Sequence, residues 1–297
     1  PLAFYRSFLL ERRYGLSSEP LSTWVADHAK ASALGFVLAL AGALLVYATI
    51  GRWPRAWWLV SAVAFMVAMG GLAKVAPIVL LPIFYKFTPL DRTSLRDRLV
   101  ELSKRAGVPV LGVYEWALGE KTRRANAALV GTGATRRIII SDTLLSEYSD
   151  DEIEVILAHE LAHHVHRDIR TGLMVEFALL LASFFVASVT LAMLWRGLGL
   201  VSPSDVAGLP LVLFAGGATM VAATPFVNAL SRRHERRADR YALELTKQPA
   251  AFISAMRRLA AQNLAETYPS RLVLWLFHTH PPIEQRIAAA RAAAGRD

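Results

Sequence analysis

The chain has 297 residues, of which 54% are hydrophobic and only 19% charged, and its mean hydropathy is +0.36. Soluble domains usually carry about 25% charged residues, so the composition excludes an ordinary soluble domain. The net charge of +9 comes without an aromatic-basic RNA or DNA motif, which excludes a nucleic-acid surface, and the lack of cysteine excludes disulfides and thiolate metal ligands.

Residues 1–30 read as a juxtamembrane segment that begins at Pro1 rather than Met. They lack the basic, apolar and cleavage regions of a signal peptide, and an upstream portion with room for another span is expected. Residues 31–50 carry no charge and residues 56–85 only Lys74. At about 20 apolar residues per crossing, residues 31–85 hold two transmembrane helices. Residues 86–171 change character. Leu95, Leu99, Leu102 and Ala106 recur at helical spacing before Gly107 and Pro109. Residues 110–116, 125–130 and 136–141 read as strands, the last two joined by Gly131-Thr132-Gly133-Ala134, and predict a small antiparallel sheet. Ser149 and Glu152 have the spacing of a capping box, and Ile153, Ile156, Leu157 and Leu161 continue as an apolar helical stripe. Two more spans lie in residues 172–231: residues 173–195 carry only Glu176, and residues 206–231 carry no charge. Residues 232–297 are polar again and end in an alanine-rich helix after Ile287.

Lysine and arginine set the topology. Residues 84–171 hold 13 of them, residues 231–297 hold 12 and the first thirty hold 4, while the short connections, at Arg52, Arg55 and Arg196, hold 3. The positive-inside rule places the N-terminal segment and both long polar segments in the cytoplasm, with four spans between them. The basic balance is then a membrane flank.

The helix that Ser149 opens carries His159-Glu160-Leu161-Ala162-His163. Positions four apart share one helical face, so two imidazoles can reach one Zn²⁺ at about 2.0–2.1 Å. Glu160 then serves as general base toward a water at the metal. A third ligand is needed. Among the downstream acids, Asp168 falls on the next turns of the same helix and points past the metal, and Glu176 is too close along the chain to fold back. Glu235, with Asp239 one turn later, offers a ligand carboxylate and an outer acceptor for a histidine. The bland alternative for Glu235 is a salt bridge in an arginine-rich juxtamembrane helix. His164 and His234 point away from the metal face, His166 lies near it but a turn too far along for the same ion, and all three read as structural or outer residues.

Several separated motifs in order resemble the type I CAAX prenyl endopeptidases and their bacterial relatives, which are integral-membrane zinc metalloproteases. They are Glu11-Arg12-Arg13-Tyr14-Gly15-Leu16 with Trp24 and Asp27, Arg124-Ala125-Asn126-Ala127-Ala128, residues 138–145, the HExxH of His159, Glu160 and His163, the E-x-x-x-D of Glu235 and Asp239, and His280-Pro281-Pro282 with Arg286. The resemblance covers nearly the whole chain. It implies a mainly α integral membrane protein of about four transmembrane helices, with a cytoplasmic gluzincin-type α+β metalloprotease core that contains the small sheet. The core is split between residues 86–171 and 232–297.

The implied activity is a zinc endopeptidase, with one Zn²⁺ per chain on His159, His163 and Glu235, and Asp239 outside them. It cuts near the C-terminus of a protein or peptide, prenylated or bare, at the cytoplasmic face. The many alanines and arginines fit a bacterial source and its inner membrane. Glu160 is the base and His280 a donor to the oxyanion, or else a core or cap histidine. Asn126 and Ala127 belong to the substrate strand, Asn126 otherwise being a plain turn or strand-start residue. Arg286 binds a substrate carboxylate or makes a structural ion pair. Two rivals stand beside this reading: a quality-control metalloprotease with no prenyl requirement, and a non-catalytic scaffold or channel with structural zinc, which would have no use for Glu160.

Overall fold

The structure, a computed structural model, describes residues 1–131, 133–266 and 268–295; Thr132, in the expected strand connection, lies outside the described residues. In chain order, helices α1 (Leu21–Arg52) and α2 (Trp57–Val75) precede strand β1 (Phe87–Pro89), helix α3 (Thr93–Arg105) and strands β2 (Val113–Trp116), β3 (Ala127–Val130) and β4 (Arg137–Ser141). Helices α4 (Asp142–Glu147), α5 (Asp150–Val165), α6 (Asp168–Leu194), α7 (Leu209–Thr246), α8 (Pro249–Gln262), α9 (Arg271–Phe277) and α10 (Ile283–Ala294) follow. The chain divides into two compact units, one of Ala26–Ala73 with Arg170–Val227, the other of Pro1–Val25, Lys74–Ile169 and Asn228–Asp297.

The first unit is built from apolar helix. Among the described residues, four helical segments, Leu21–Arg52, Trp57–Val75, Asp168–Leu194 and Val206–Thr246, are long and apolar enough to cross a membrane. Within the unit Val46, Ile50, Trp57, Ala187, Leu191 and Val212 are buried together, and Trp57 meets Phe184 edge-on at 6.1 Å. Thr49 and Ser61 share a buried hydrogen bond of 2.6 Å, so neither hydroxyl is left unpaired. Large apolar side chains such as Phe36, Val67, Met193 and Phe214 point outward and are at least 68% exposed. Such surface suits hydrocarbon rather than water. The second apolar run reaches residue 85 in sequence, yet α2 stops at Val75 and a π-helical turn, Ala76–Leu80, follows. Pro77 has no N–H to continue the α-helical ladder.

The second unit holds a four-stranded sheet in the order β1-β2-β4-β3. The expected antiparallel sheet is mixed instead, because β2 and β4 run parallel while β1–β2 and β3–β4 are antiparallel. The reason lies in β4. Ile138, Ile139 and Ile140 are at most 4% exposed, so both faces of the strand are covered, and a continuous apolar run of this kind takes a central place. β1 was not legible because three residues ending in Pro89 show no alternation. Gly131 turns β3 toward β4 with φ +85, and a Cβ there would stand 2.5 Å from the Thr135 carbonyl oxygen, so only glycine fits.

Helices close the core over the sheet. Leu95, Leu99, Leu102, Ile138, Ile140, Leu157, Leu161, Phe252 and Ile287 are at most 1% exposed. Burying each such side chain stabilises by about 1.5–3 kcal/mol. α5 packs against β3, α3 and α8, which explains its sequence: every residue from Glu152 to Ala162 is buried except Glu160. A helix covered on so many sides lies beside the edge strand with its histidine face fixed.

Candidate metal centre

The capping box that opens α5 has both halves in place. Ser149 accepts from the Glu152 N–H at 3.3 Å, and the Glu152 carboxylate accepts from the Ser149 N–H at 2.8 Å. Two turns on, His159 and His163 stand one above the other with ring centroids 5.0 Å apart. α7 supplies Glu235 and Asp239 from one face. The Nε2 atoms of His159 and His163 lie 3.2 and 3.4 Å from the two Glu235 oxygens, and ligand atoms of all three residues fall within 4.8 Å of one another.

The other imidazole nitrogens are already engaged. His159 Nδ1 is 2.9 Å from Asp239 Oδ1, and His163 Nδ1 is 3.0 Å from Asp168 Oδ2. A carboxylate at Nδ1 fixes the tautomer with the proton on that nitrogen. Both Nε2 lone pairs then converge on a carboxylate that cannot donate to them. Glu235 Oε2, buried, has no hydrogen-bond partner among the described residues. Three converging electron pairs and an orphaned buried oxygen call for a cation, and two imidazoles with one carboxylate are a donor set suited to Zn²⁺. The electrostatics agree. Burial alone would lower the His159 pKa, but the Asp239 and Glu235 carboxylates outweigh it and raise it to about 9, so the pocket attracts positive charge.

Glu160 faces a cavity of about 380 Å³ together with His159, Glu235, His280 and Arg286. Burial pushes its carboxyl above the ordinary range. His280 Nε2 stands 3.4 Å from Glu235 Oε2, and its Nδ1 bonds Thr279 Oγ1 at 2.8 Å. Asn126 is exposed just before β3, where its N–H donates to Ser141 Oγ at 2.9 Å and its carbonyl accepts from the Ser141 N–H at 2.9 Å. Ala127 is buried and pairs with Ile140, so its side chain belongs to the core; β3 itself is an edge of the sheet.

Two expectations need correction. Arg286 is not open to a substrate carboxylate: it is buried, and its fork grips Asp239 through Nε at 2.8 Å and Nη2 at 2.5 Å. Asp168 does not continue the zinc helix. α5 ends at Val165, Arg167 takes φ 59, and α6 starts at Asp168, so the carboxylate turns back onto His163. Arg237 pairs with the same carboxylate, and His234 Nε2 is 3.8 Å from it. No glycine or proline marks that break in the sequence. His166 meets Tyr241 edge-on at 5.5 Å and is not one of the grouped ligand residues.

Comparison with known proteins fits this geometry. The family described as Peptidase family M48 matches residues 89–294, and the one described as CAAX prenyl protease N-terminal, five membrane helices, matches residues 1–86. The uncharacterized metalloprotease YhfN of Bacillus subtilis (strain 168) is 32% identical over 281 residues, covering 93% of this chain and 66% of that protein. CAAX prenyl protease 1 of Saccharomyces cerevisiae is 27% identical over 310 residues, covering 97% and 68%. The crystal structure of S. mikatae Ste24p has the same fold, with a TM-score of 0.89 at 22% identity over 98% of this chain and 71% of that one. The chain spans about two thirds of the length of the curated relatives it matches. With one family covering the sheet and metal centre and the other the first two membrane helices, the chain belongs to peptidase family M48, as a multi-pass membrane metalloprotease of the CAAX prenyl protease type.

Proposed function

We propose that the chain is a zinc endopeptidase that cuts peptide bonds near the C-terminus of membrane-associated proteins or peptides at the cytoplasmic face of a bacterial inner membrane. The observation that carries this reading is the convergence of His159 Nε2, His163 Nε2 and Glu235 in a pocket that also exposes Glu160. His159, His163 and Glu235 hold the ion, while Asp239 and Asp168 fix the two imidazoles. Zinc, when bound, supplies Lewis acidity toward a carbonyl oxygen and a more acidic water. Glu160 takes a proton from the attacking water and returns it to the leaving amine, a task its raised pKa suits. His280 donates a hydrogen bond to the oxygen that becomes negative. The open edge of β3, entered at Asn126, receives the substrate backbone as an added strand. The basic segments flanking the spans support the cytoplasmic orientation.

The relatives named for CAAX prenyl proteolysis make a prenylated C-terminus one substrate to test against its bare form. The experiment uses the full chain in detergent with zinc and a quenched peptide, farnesylated or not. Wild type should cleave, and Glu235→Ala should lose both bound zinc and cleavage. Normal zinc affinity in Glu235→Ala would show that another group is the third ligand. Equal turnover of the farnesylated and bare peptides would make this a general membrane-protein protease without a prenyl requirement.

A further inference from the structure

α7 carries a buried polar ridge. Asn228, Arg232, Glu235 and Asp239 follow at spacings of four, three and four, the repeat of a single helical face, and each is at most 7% exposed. Glu235 and Asp239 face the histidines. Asn228 and Arg232 instead hold the segment that carries His280. Asn228 Nδ2 donates to the Leu276 carbonyl at 2.7 Å, and Arg232 Nη1 donates to the Leu274 and His278 carbonyls at 3.0 and 2.6 Å. These carbonyls lie at the C-terminal end of α9, where donors within the helix run out and the helix end is negative; that of Leu274 also accepts from the His278 N–H at 3.4 Å.

The same segment is tied to α7 at its other end. α10 begins at Ile283, and its Arg286 grips Asp239. Residues 278–282 therefore bridge two points on one helix, with His280 between them, 3.4 Å from the Glu235 carboxylate. A buried guanidinium carries a desolvation cost that an apolar side chain would avoid. What the guanidinium adds is a planar group that fixes Nη1 so that this one nitrogen serves two carbonyls four residues apart. We propose that Arg232, assisted by Asn228, is a positioning residue that clamps residues 274–282 and so holds His280 over the metal centre. Its kinetic consequence rests on the peptidase reading; its structural consequence does not.

The test compares Arg232→Met, Arg232→Lys, His280→Ala and the Arg232→Met/His280→Ala pair in the full chain with zinc. In Arg232→Met, amide hydrogen exchange across residues 274–282 should rise by about tenfold or more while α5 keeps its protection. The kcat should fall by about 10–100-fold, as for a misplaced catalytic group, with KM and zinc content close to wild type. Arg232→Lys should recover part of the loss, since an ammonium still donates but lacks the planar group that fixes its direction. In the His280→Ala background, Arg232→Met should lower kcat no further, because both act through one group. Unchanged exchange in residues 274–282, or an equal loss in both backgrounds, would overturn the clamp. If Arg232→Met does not fold, Arg232→Lys decides: exchange and kcat both equal to wild type would overturn it. A wild-type chain that turns over no peptide defeats the peptidase reading, and the exchange measurement then decides the clamp alone.

Discussion

Glu160 is only partly buried where the other residues of α5 from Glu152 to Ala162 are fully buried, and it opens onto the cavity that the ligand set lines. In the proposed mechanism it moves a proton and holds no metal. Glu160→Gln keeps the size and loses the base, so zinc content should stay at the wild-type level while turnover falls by about 10²–10⁴-fold. Near-wild-type cleavage by this variant would end its role as base. The outer carboxylates behave differently. Asp239 and Asp168 each stand about 3 Å from an Nδ1 atom. Asp168→Asn and Asp239→Asn should each weaken zinc binding by about 10–100-fold in a chelator competition, since each leaves a ligand imidazole less firmly oriented. An Asp168→Asn chain with unaltered zinc affinity would reduce that carboxylate to a partner of Arg237 and His234.

At the scale of the element, α5 is fixed by its first turn. Glu152 caps the helix and receives Arg258 Nε at 3.1 Å. Burial works against its charge, but hydrogen bonds from Ser254 and Ser149, with the charge of Arg258, outweigh it and hold the carboxyl below its ordinary range. A pKa lower in the folded chain than in the unfolded one gives stability that is full above the unfolded value of about 4.3 and is lost as pH falls through the folded value. The gap in Tm between wild type and Glu152→Gln should hold near neutral pH and shrink below about pH 4.3. A gap that is the same in acid would show that the charge on Glu152 contributes nothing. This cap, the helix after it and the E-x-x-x-D of α7 were legible because each is a short-range pattern with a fixed period. Asp168 was not: the left-handed turn at Arg167 that brings it back has no glycine to announce it. Arg232 and Asn228 were hidden by their setting. One stands in a run of arginines and the other in an apolar span, although the four-three-four spacing to Glu235 and Asp239 would have singled them out. Arg286 had two readings in the sequence, a substrate partner and a structural ion pair, and the choice between them was hidden for a related reason, since a pairing across 47 residues cannot be read from either end.

At the scale of the whole molecule, the polar segments and the spans alternate along one chain, and charge distribution is the feature of the sequence that says on which side of a membrane the polar segments fall. Helices α1 and α2 are joined near Arg55, and α6 and α7 near Ser204. In sequence, the long basic segments flank each pair of spans at the ends opposite those connections. Because the chain has no cysteine, single cysteines can report sidedness without any background. Arg55→Cys and Ser204→Cys lie at exposed positions in the short connections, and Glu101→Cys and Arg291→Cys at exposed positions in the long segments. With about 25 of the 33 basic residues in those long segments, the positive-inside rule demands that the first two react with a membrane-impermeant maleimide in intact bacterial cells with a permeable outer membrane. Glu101→Cys and Arg291→Cys should react only after the inner membrane is opened. The reverse pattern would put the metal centre outside the cytoplasm and remove cytoplasmic C-termini from its substrates. Labelling of Glu101→Cys and Arg291→Cys on opposite sides would be graver, because the HExxH helix and the segment bearing Glu235 could then not share one ion.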